Sequence, residues 1–299
     1  MPMSSIIQRI AGIAVCALLP MCCGSASSDE PIRIFDAHSH YKSEDAGVFA
    51  PQDVIRIMDR EGIDRMVVVG EPPARVQSLY RLAPSRIVPF LGLYEDYTQK
   101  ASWMHDPTLP GRLRALLDTG TYRGIGEIHL FAGDKANPVF REIVGLAADR
   151  GLPILLHGDA EVVQQVFEWH PAATVIWAHL GTQPDPTLVD AMLRRFPLGL
   201  YVDTSVRDER FTENGALKPA WRSLFTRHAD RILVAIDTFY VKRWQGIAEV
   251  TARIRHWLAQ LPPEVADRLA HANADRLFRT EAAAAGAPVD AVPTGRRFD

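Results

Sequence analysis

His38 and His40 stand two residues apart at the end of Ile34-Phe35-Asp36-Ala37, a short stretch of β character. Side chains alternate across a strand, so both rings fall on one side and can reach one ion. Neutral imidazole binds a divalent ion such as Zn2+ at about 2.0–2.1 Å, and a carboxylate adds an oxygen ligand. Three protein ligands plus water make a catalytic arrangement, in which the pKa of the water falls to about 7 and hydroxide becomes available at ordinary pH. His157, His179 and Asp237 each close a short apolar run elsewhere in the chain and offer the same chemistry. Cys16, Cys22 and Cys23 all lie near the N-terminus, which leaves the rest of the chain without a thiol nucleophile or a thiolate metal site. Imidazole and carboxylate must therefore carry whatever chemistry there is.

Eight apolar, β-branched runs would position these residues. They cover residues 32–40, 65–70, 87–94, 122–130, 153–158, 174–180, 198–204 and 232–238. Amphipathic segments follow them, at 51–61, 74–82, 113–117, 138–150, 161–170, 187–196, 218–229 and 247–261. Several of these end in turn signals such as Glu61-Gly62 and Arg150-Gly151. Such alternation over roughly 250 residues predicts an α/β fold of the (β/α)8 TIM-barrel type, whereas a doubly wound sheet more commonly stops at five or six strands. A single domain is expected at residues 29–280, with an N-terminal leader at 1–28 and a flexible Ala-, Pro- and Gly-rich tail at 281–299. In a barrel, His38, His40, His157, His179 and Asp237 all fall where strands open into the loops that carry active sites.

The ordered segments Asp36-Ala37-His38-Ser39-His40, Gly124-Ile125-Gly126-Glu127-Ile128-His129, Leu155-Leu156-His157, Ala178-His179-Leu180-Gly181 and Ile236-Asp237 resemble the amidohydrolase superfamily. Within it the sequence is similar to the amidohydrolase-related (amidohydrolase 2) group, whose C-terminal signature His271-Ala272-Asn273-Ala274-Asp275-Arg276-Leu277-Phe278 resembles. The resemblance implies a metal-dependent hydrolase on a distorted TIM barrel. Its implied ligands are His38, His40 and His157, with Asp237 as ligand and proton shuttle and His179 either binding a second ion or polarising substrate. One or two divalent ions are implied, Zn2+ first among them. Many relatives carry a carbamylated lysine after the fourth strand, where this chain has Glu127. TatD-like branches use a glutamate there to bridge two metals. The residues alone leave three readings for Glu127: a ligand, a hydrogen-bond partner of a ligand histidine, or a partner of Arg123 or another cation.

The implied reaction is attack by metal-activated hydroxide on an ester, lactone, amide or similar bond of a small molecule, with Asp237 and His179 as catalytic groups. Two alternatives stand beside it: a decarboxylase or lactonase of the same group, told apart by its product, and an exported metal- or ligand-binding protein without turnover. His129 shares the strand phase of Glu127 and is expected to face substrate, with Lys42 and Arg207 as further substrate-binding candidates. Asp36 is expected to orient His38 or a backbone group near it, and Asp159, Arg75 and Asp203 to sit at the rim. No nucleophile elbow or phosphate-cradling glycine loop is present. A net charge of −3 and a pI near 6.4 provide no basic footprint, so a small molecule is the expected partner and nucleic acid is not.

Residues 1–28 read as an export leader. Arg9 supplies a weak positive start, and residues 10–21 form an apolar run too short to span a bilayer. Gly24-Ser25-Ala26 suits ordinary signal cleavage, while Leu19-Pro20-Met21-Cys22-Cys23 loosely resembles a bacterial lipoprotein box with Cys22 or Cys23 as the lipidated residue. The expected location is the periplasm, either free or lipid-anchored, and that anchor is the one membrane contact expected.

Overall fold

The computed structural model describes residues 31–279, so the leader, Cys22, Cys23 and the tail lie outside the described residues. Eight parallel strands follow one another around a single sheet: β1 (Ile34–Lys42), β2 (Ile63–Glu71), β3 (Ile87–Leu91), β4 (Gly124–Leu130), β5 (Ile154–Gly158), β6 (Val175–Trp177), β7 (Leu200–Asp203) and β8 (Ile232–Leu233). The segment after β8 returns to β1. There the Ala37 N–H donates to the Val234 carbonyl at 3.0 Å and the Asp237 N–H donates to the His38 carbonyl at 2.6 Å. The result is the nearly closed barrel that the alternation of runs predicts.

Two apolar layers hold it. Phe35, Val67, Val88, Phe90, Leu155, Ile176 and Leu233 fill the lumen, while a larger layer of Val, Ile and Leu lies between the strands and the surrounding helices. Phe278 closes the N-terminal end of the lumen, its ring 5.6 Å from Phe35 and 5.8 Å from Phe90. Burying such a side chain contributes about 1.5–3 kcal/mol. Asn273 secures this plug, because its amide donates to the Ala229 and Ile232 carbonyls at 2.7 and 2.8 Å. The polar cluster is left to the opposite mouth. No helix among the described residues is long and apolar enough to cross a membrane.

Four strands, β3, β6, β7 and β8, end earlier than their apolar runs, two of them just before left-handed backbone. β6 stops at Trp177 because His179 and Leu180 are left-handed, at φ 61 and 58. β8 stops at Leu233, and Asp237 beyond it is also left-handed, at φ 58. Such backbone costs a non-glycine residue roughly 1–3 kcal/mol and persists only where its surroundings impose it. The barrel thus holds His179 and Asp237 just past the ends of the ladders. The sequence reading also omitted the short hairpin Thr212–Glu213/Ala216–Leu217 and the 3-10 turns Tyr97–Ala101 and Trp103–His105.

Gly126 explains the composition of β4. It has φ +134, and a Cβ there would lie 2.3 Å from the Leu155 carbonyl oxygen of β5. Backbone as close as this sets Glu127 at the lumen's mouth. Gly126→Ala is expected to destabilise the fold by roughly 2–4 kcal/mol, read as a lower urea midpoint.

Candidate metal centre and active site

Glu127, from β4, is the hub of the site. Its Oε2 lies 3.3 Å from His40 Nε2 and 3.7 Å from His38 Nε2, while Oε1 lies 2.9 Å from His157 Nδ1 and 3.1 Å from His179 Nε2. The side chain is only 4% exposed. Two sets of possible ligands therefore share one carboxylate: His38, His40 and Glu127 on one side, and Glu127, His157 and His179 on the other. Asp237 joins the first, with Oδ1 3.4 Å from His40 Nε2 and 3.8 Å from His38 Nε2. His157 lies with His179, their ring centroids 4.8 Å apart, and the two sets meet where His38 stacks on His179 at 5.0 Å, a pair that also forms a third possible ligand set with Asp203.

Buried groups behind the rings fix their orientation. Asp203 Oδ2 lies 3.0 Å from His38 Nδ1, which leaves His38 Nε2 facing the mouth. Its other oxygen accepts the His179 N–H at 3.1 Å and the Ser205 N–H at 3.0 Å, and Ser205 Oγ in turn lies 2.8 Å from His179 Nδ1. Asp36 Oδ1 accepts the N–H groups of His38 at 3.1 Å and Ile236 at 2.9 Å, and so ties β1 to the segment carrying Asp237. This is the orienting role its sequence position suggests. Thr238 binds both the N–H and the carbonyl of His40.

The charges are mutually dependent. Burial opposes ionisation of Glu127, but His129, His38, His157 and His179 outweigh it and hold the carboxyl well below its usual range. Burial likewise disfavours a charged His38, yet Asp237, Glu127 and Asp203 raise it well above the ordinary imidazole value. Burial lowers His40, and it pushes Asp36 up to about 7. Asp203, against its burial, is brought down to about 2 chiefly by His38.

The unused atoms test whether these residues suit a divalent ion. His38 Nε2 and His40 Nε2 face each other at 3.2 Å, although Asp203 already engages the opposite nitrogen of His38. Asp237 Oδ1, 3.4 Å from His40 Nε2, is buried and has no hydrogen-bond partner among the described residues. Buried polar atoms left so are costly, whereas imidazole nitrogens and carboxylate oxygens converging on one point are the donor set of a Zn2+-type ion. The residues fit the ion.

His129, predicted to face the cavity, reaches it: its Nε2 is 3.4 Å from Glu127 Oε2 and its ring stacks on His157 at 4.5 Å. Burial pushes it down to about 3, so it is neutral at physiological pH. Lys42 is at the mouth with its ammonium 3.4 Å from Glu71 Oε2. Arg207 follows β7 on the same face, but among the described residues it makes no hydrogen bond or ion pair with the cluster. Asp159 ties loops together by accepting the Ala132 N–H at 2.9 Å, and Arg75 contacts Ser43. Asp203 corrects the rim assignment: it is 0% exposed and sits under the histidines, at the end of β7. Tyr94 and Lys100 join the site without a motif or spacing in the sequence that marks them. Tyr94 OH accepts the His129 N–H at 3.0 Å, and Lys100 Nζ lies 3.2 Å from His129 Nε2. Asp203→Asn is expected to weaken metal affinity about 10–100-fold by freeing the His38 ring, as measured by competition against a chelating dye.

Among solved structures, 2,6-dihydroxybenzoate decarboxylase in complex with 2,6-dihydroxybenzoate is 14% identical with a TM-score of 0.56, over 83% of this chain and 99% of the other. A putative 2-pyrone-4,6-dicarboxylic acid hydrolase from Pseudomonas putida is 16% identical with a TM-score of 0.57, over 83% and 98%. An amidohydrolase from Burkholderia multivorans with bound zinc is 15% identical with a TM-score of 0.52, over 83% and 99%. At such identities the likeness is one of fold. The comparison with curated proteins gives no match. The sequence itself matches the family described as Amidohydrolase over residues 35–280, a span that takes in the whole cluster and every strand except Ile34. The chain therefore belongs to the Amidohydrolase family.

Proposed function

We propose that the protein is a divalent-metal-dependent hydrolase of a small molecule, acting on an ester, lactone, amide or similar bond. The observation that carries the reading is a buried Glu127 shared by two histidine groups, with the unpartnered Asp237 Oδ1 aimed into one of them. His38, His40, Glu127 and Asp237 would hold one ion, and Glu127, His157 and His179 offer a place for a second; zinc suits the nitrogen and oxygen donors. Bound there, an ion supplies Lewis-acid polarisation and makes water a competent nucleophile near neutral pH.

The chain's own groups do the rest. Asp237 takes the proton of the attacking water at Oδ1 and delivers it to the leaving group. Where the second group holds no ion, His179, held at Nδ1 by Ser205, stabilises charge developing on the substrate oxygen through Nε2. Asp203 and Asp36 keep the rings and the Asp237 segment in register, and His129 lines the substrate side.

The test is a panel of lactones, esters and amides assayed with protein of measured metal content. Water-dependent ring opening or ester cleavage that stops on chelation and returns with Zn2+ is expected. Release of CO2 from a carboxylated substrate without such cleavage would transfer the protein to the lyases, and stoichiometric metal with no turnover to the binding proteins. We further propose, from residues 1–28 of the sequence, that the protein is exported to the periplasm, with Cys22 or Cys23 as a lipid anchor if the lipoprotein box is used. Cell fractionation with metabolic palmitate labelling checks this.

A further inference from the structure

The mouth of the barrel carries two lysines in different electrical states. Lys42 is paired with Glu71 at 3.4 Å, so its charge is answered within the protein. Lys100, on the turn after β3, has no carboxylate within 4 Å among the described residues; its one polar partner is His129 Nε2 at 3.2 Å. An ammonium has three donors, and a single neutral imidazole uses one. Lys100 Nζ and Glu127 Oε2 both contact that same nitrogen, so they are no farther apart than the two distances laid end to end. A lysine with no carboxylate in direct contact among the described residues thus stands within a small molecule's length of the metal-binding carboxylate.

Apolar surface lies beside it. Tyr97 is 70% exposed with Lys100 5.2 Å from its ring centroid, and Phe131 is 53% exposed with its ring 6.3 Å from that of His157. Large exposed aromatics at the mouth of a site are surface for a ligand's apolar body.

We infer that the substrate of this site is a small organic acid, whose carboxylate is held by Lys100 while its apolar body lies against Tyr97 and Phe131 and its scissile carbonyl reaches the Glu127 cluster. This rests on the hydrolase reading for the last part only. One ammonium matches one negative charge, whereas a phosphate is ordinarily met by several cations or a nest of backbone N–H groups. Lys100 is a specificity residue here, because it selects which carbonyl compounds dwell at the site.

Two measurements separate the parts. The first compares mono-p-nitrophenyl glutarate with p-nitrophenyl butyrate, esters alike at the scissile bond and differing in a free carboxylate. The native enzyme is expected to favour the charged ester at least tenfold in kcat/KM, and Lys100→Gln to cut that preference at least tenfold, mainly through KM, with Lys100→Arg restoring part of it. A preference below twofold in the native enzyme, or unchanged in Lys100→Gln, overturns the inference. The second is calorimetric titration with glutarate, at equal metal content, of the native protein and Lys100→Gln; at least tenfold weaker binding to the variant is expected, and equal binding overturns the inference. If neither ester is cleaved, the titration alone decides the carboxylate site, and the hydrolase reading is decided by the panel of lactones, esters and amides.

Discussion

Glu127→Gln is expected to strip the protein of most of its metal and to lower kcat at least a thousandfold, about 4 kcal/mol of barrel-mouth chemistry. The substitution keeps the shape of the side chain but removes its charge, and it turns one oxygen into an NH2 group that cannot accept or ligate. Both histidine groups use this carboxylate, one oxygen each, so a single change disables both. Elemental analysis against native protein prepared in parallel gives metal per chain, and stopped assays on the best ester or lactone give kcat. The result also separates the three readings that the residue's position in sequence leaves open. Metal retained at the native level with kcat reduced only about tenfold would make Glu127 an orienting partner of the histidines and not a ligand. A pairing with Arg123 is already corrected by the structure, since the Arg123 guanidinium donates to the Gly120, Thr121 and Tyr122 carbonyls instead.

The barrel was legible because its parallel strands are covered on both faces and so read as short unbroken apolar runs. The ends of those runs also led to His38, His40, His157, His179 and Asp237, since a strand's last inward residue is where a barrel opens. Strand ends themselves were less legible. The runs read on to residues 180 and 238, but the backbone turns left-handed at His179, Leu180 and Asp237, a conformation set by contacts from other strands. Asp203 was misplaced for a related reason. Its neighbours Leu200 to Val202 mark it as a strand end, but nothing local distinguishes a carboxylate that points at solvent from one buried under His38, whose sequence separation is 165. Phase alone did place His129 and Asp36, because each shares its own strand's alternation with a site residue, Glu127 on β4 and His38 on β1. Lys100 and Tyr94 lie in or beside turns whose path depends on Trp103 packing against Phe140 from a helix much later in the chain, and no periodicity announces such a contact.

Asp237→Asn is expected to lower kcat by about 10^2–10^4 while leaving metal content near native, the span that general acid–base catalysis supplies. The choice of asparagine matters. Asp237 has φ 58, and asparagine is one of the few residues besides glycine that tolerates this region, so the loop that closes β8 onto β1 should keep its path. Its N–H still donates to the His38 carbonyl, and Thr238 still holds His40. What is lost is a proton acceptor at Oδ1, the atom 3.4 Å from His40 Nε2 that has no hydrogen-bond partner among the described residues. Alanine would confound this comparison by changing both the backbone preference and the donor set. Two outcomes count against the proton-transfer role. If kcat stays within threefold of native at full metal occupancy, the proton passes through another group; if kcat and metal fall in equal proportion, and added Zn2+ restores both, Asp237 serves as a ligand alone. A rate loss that excess metal leaves unrepaired is the result that ties the carboxylate to the chemical step.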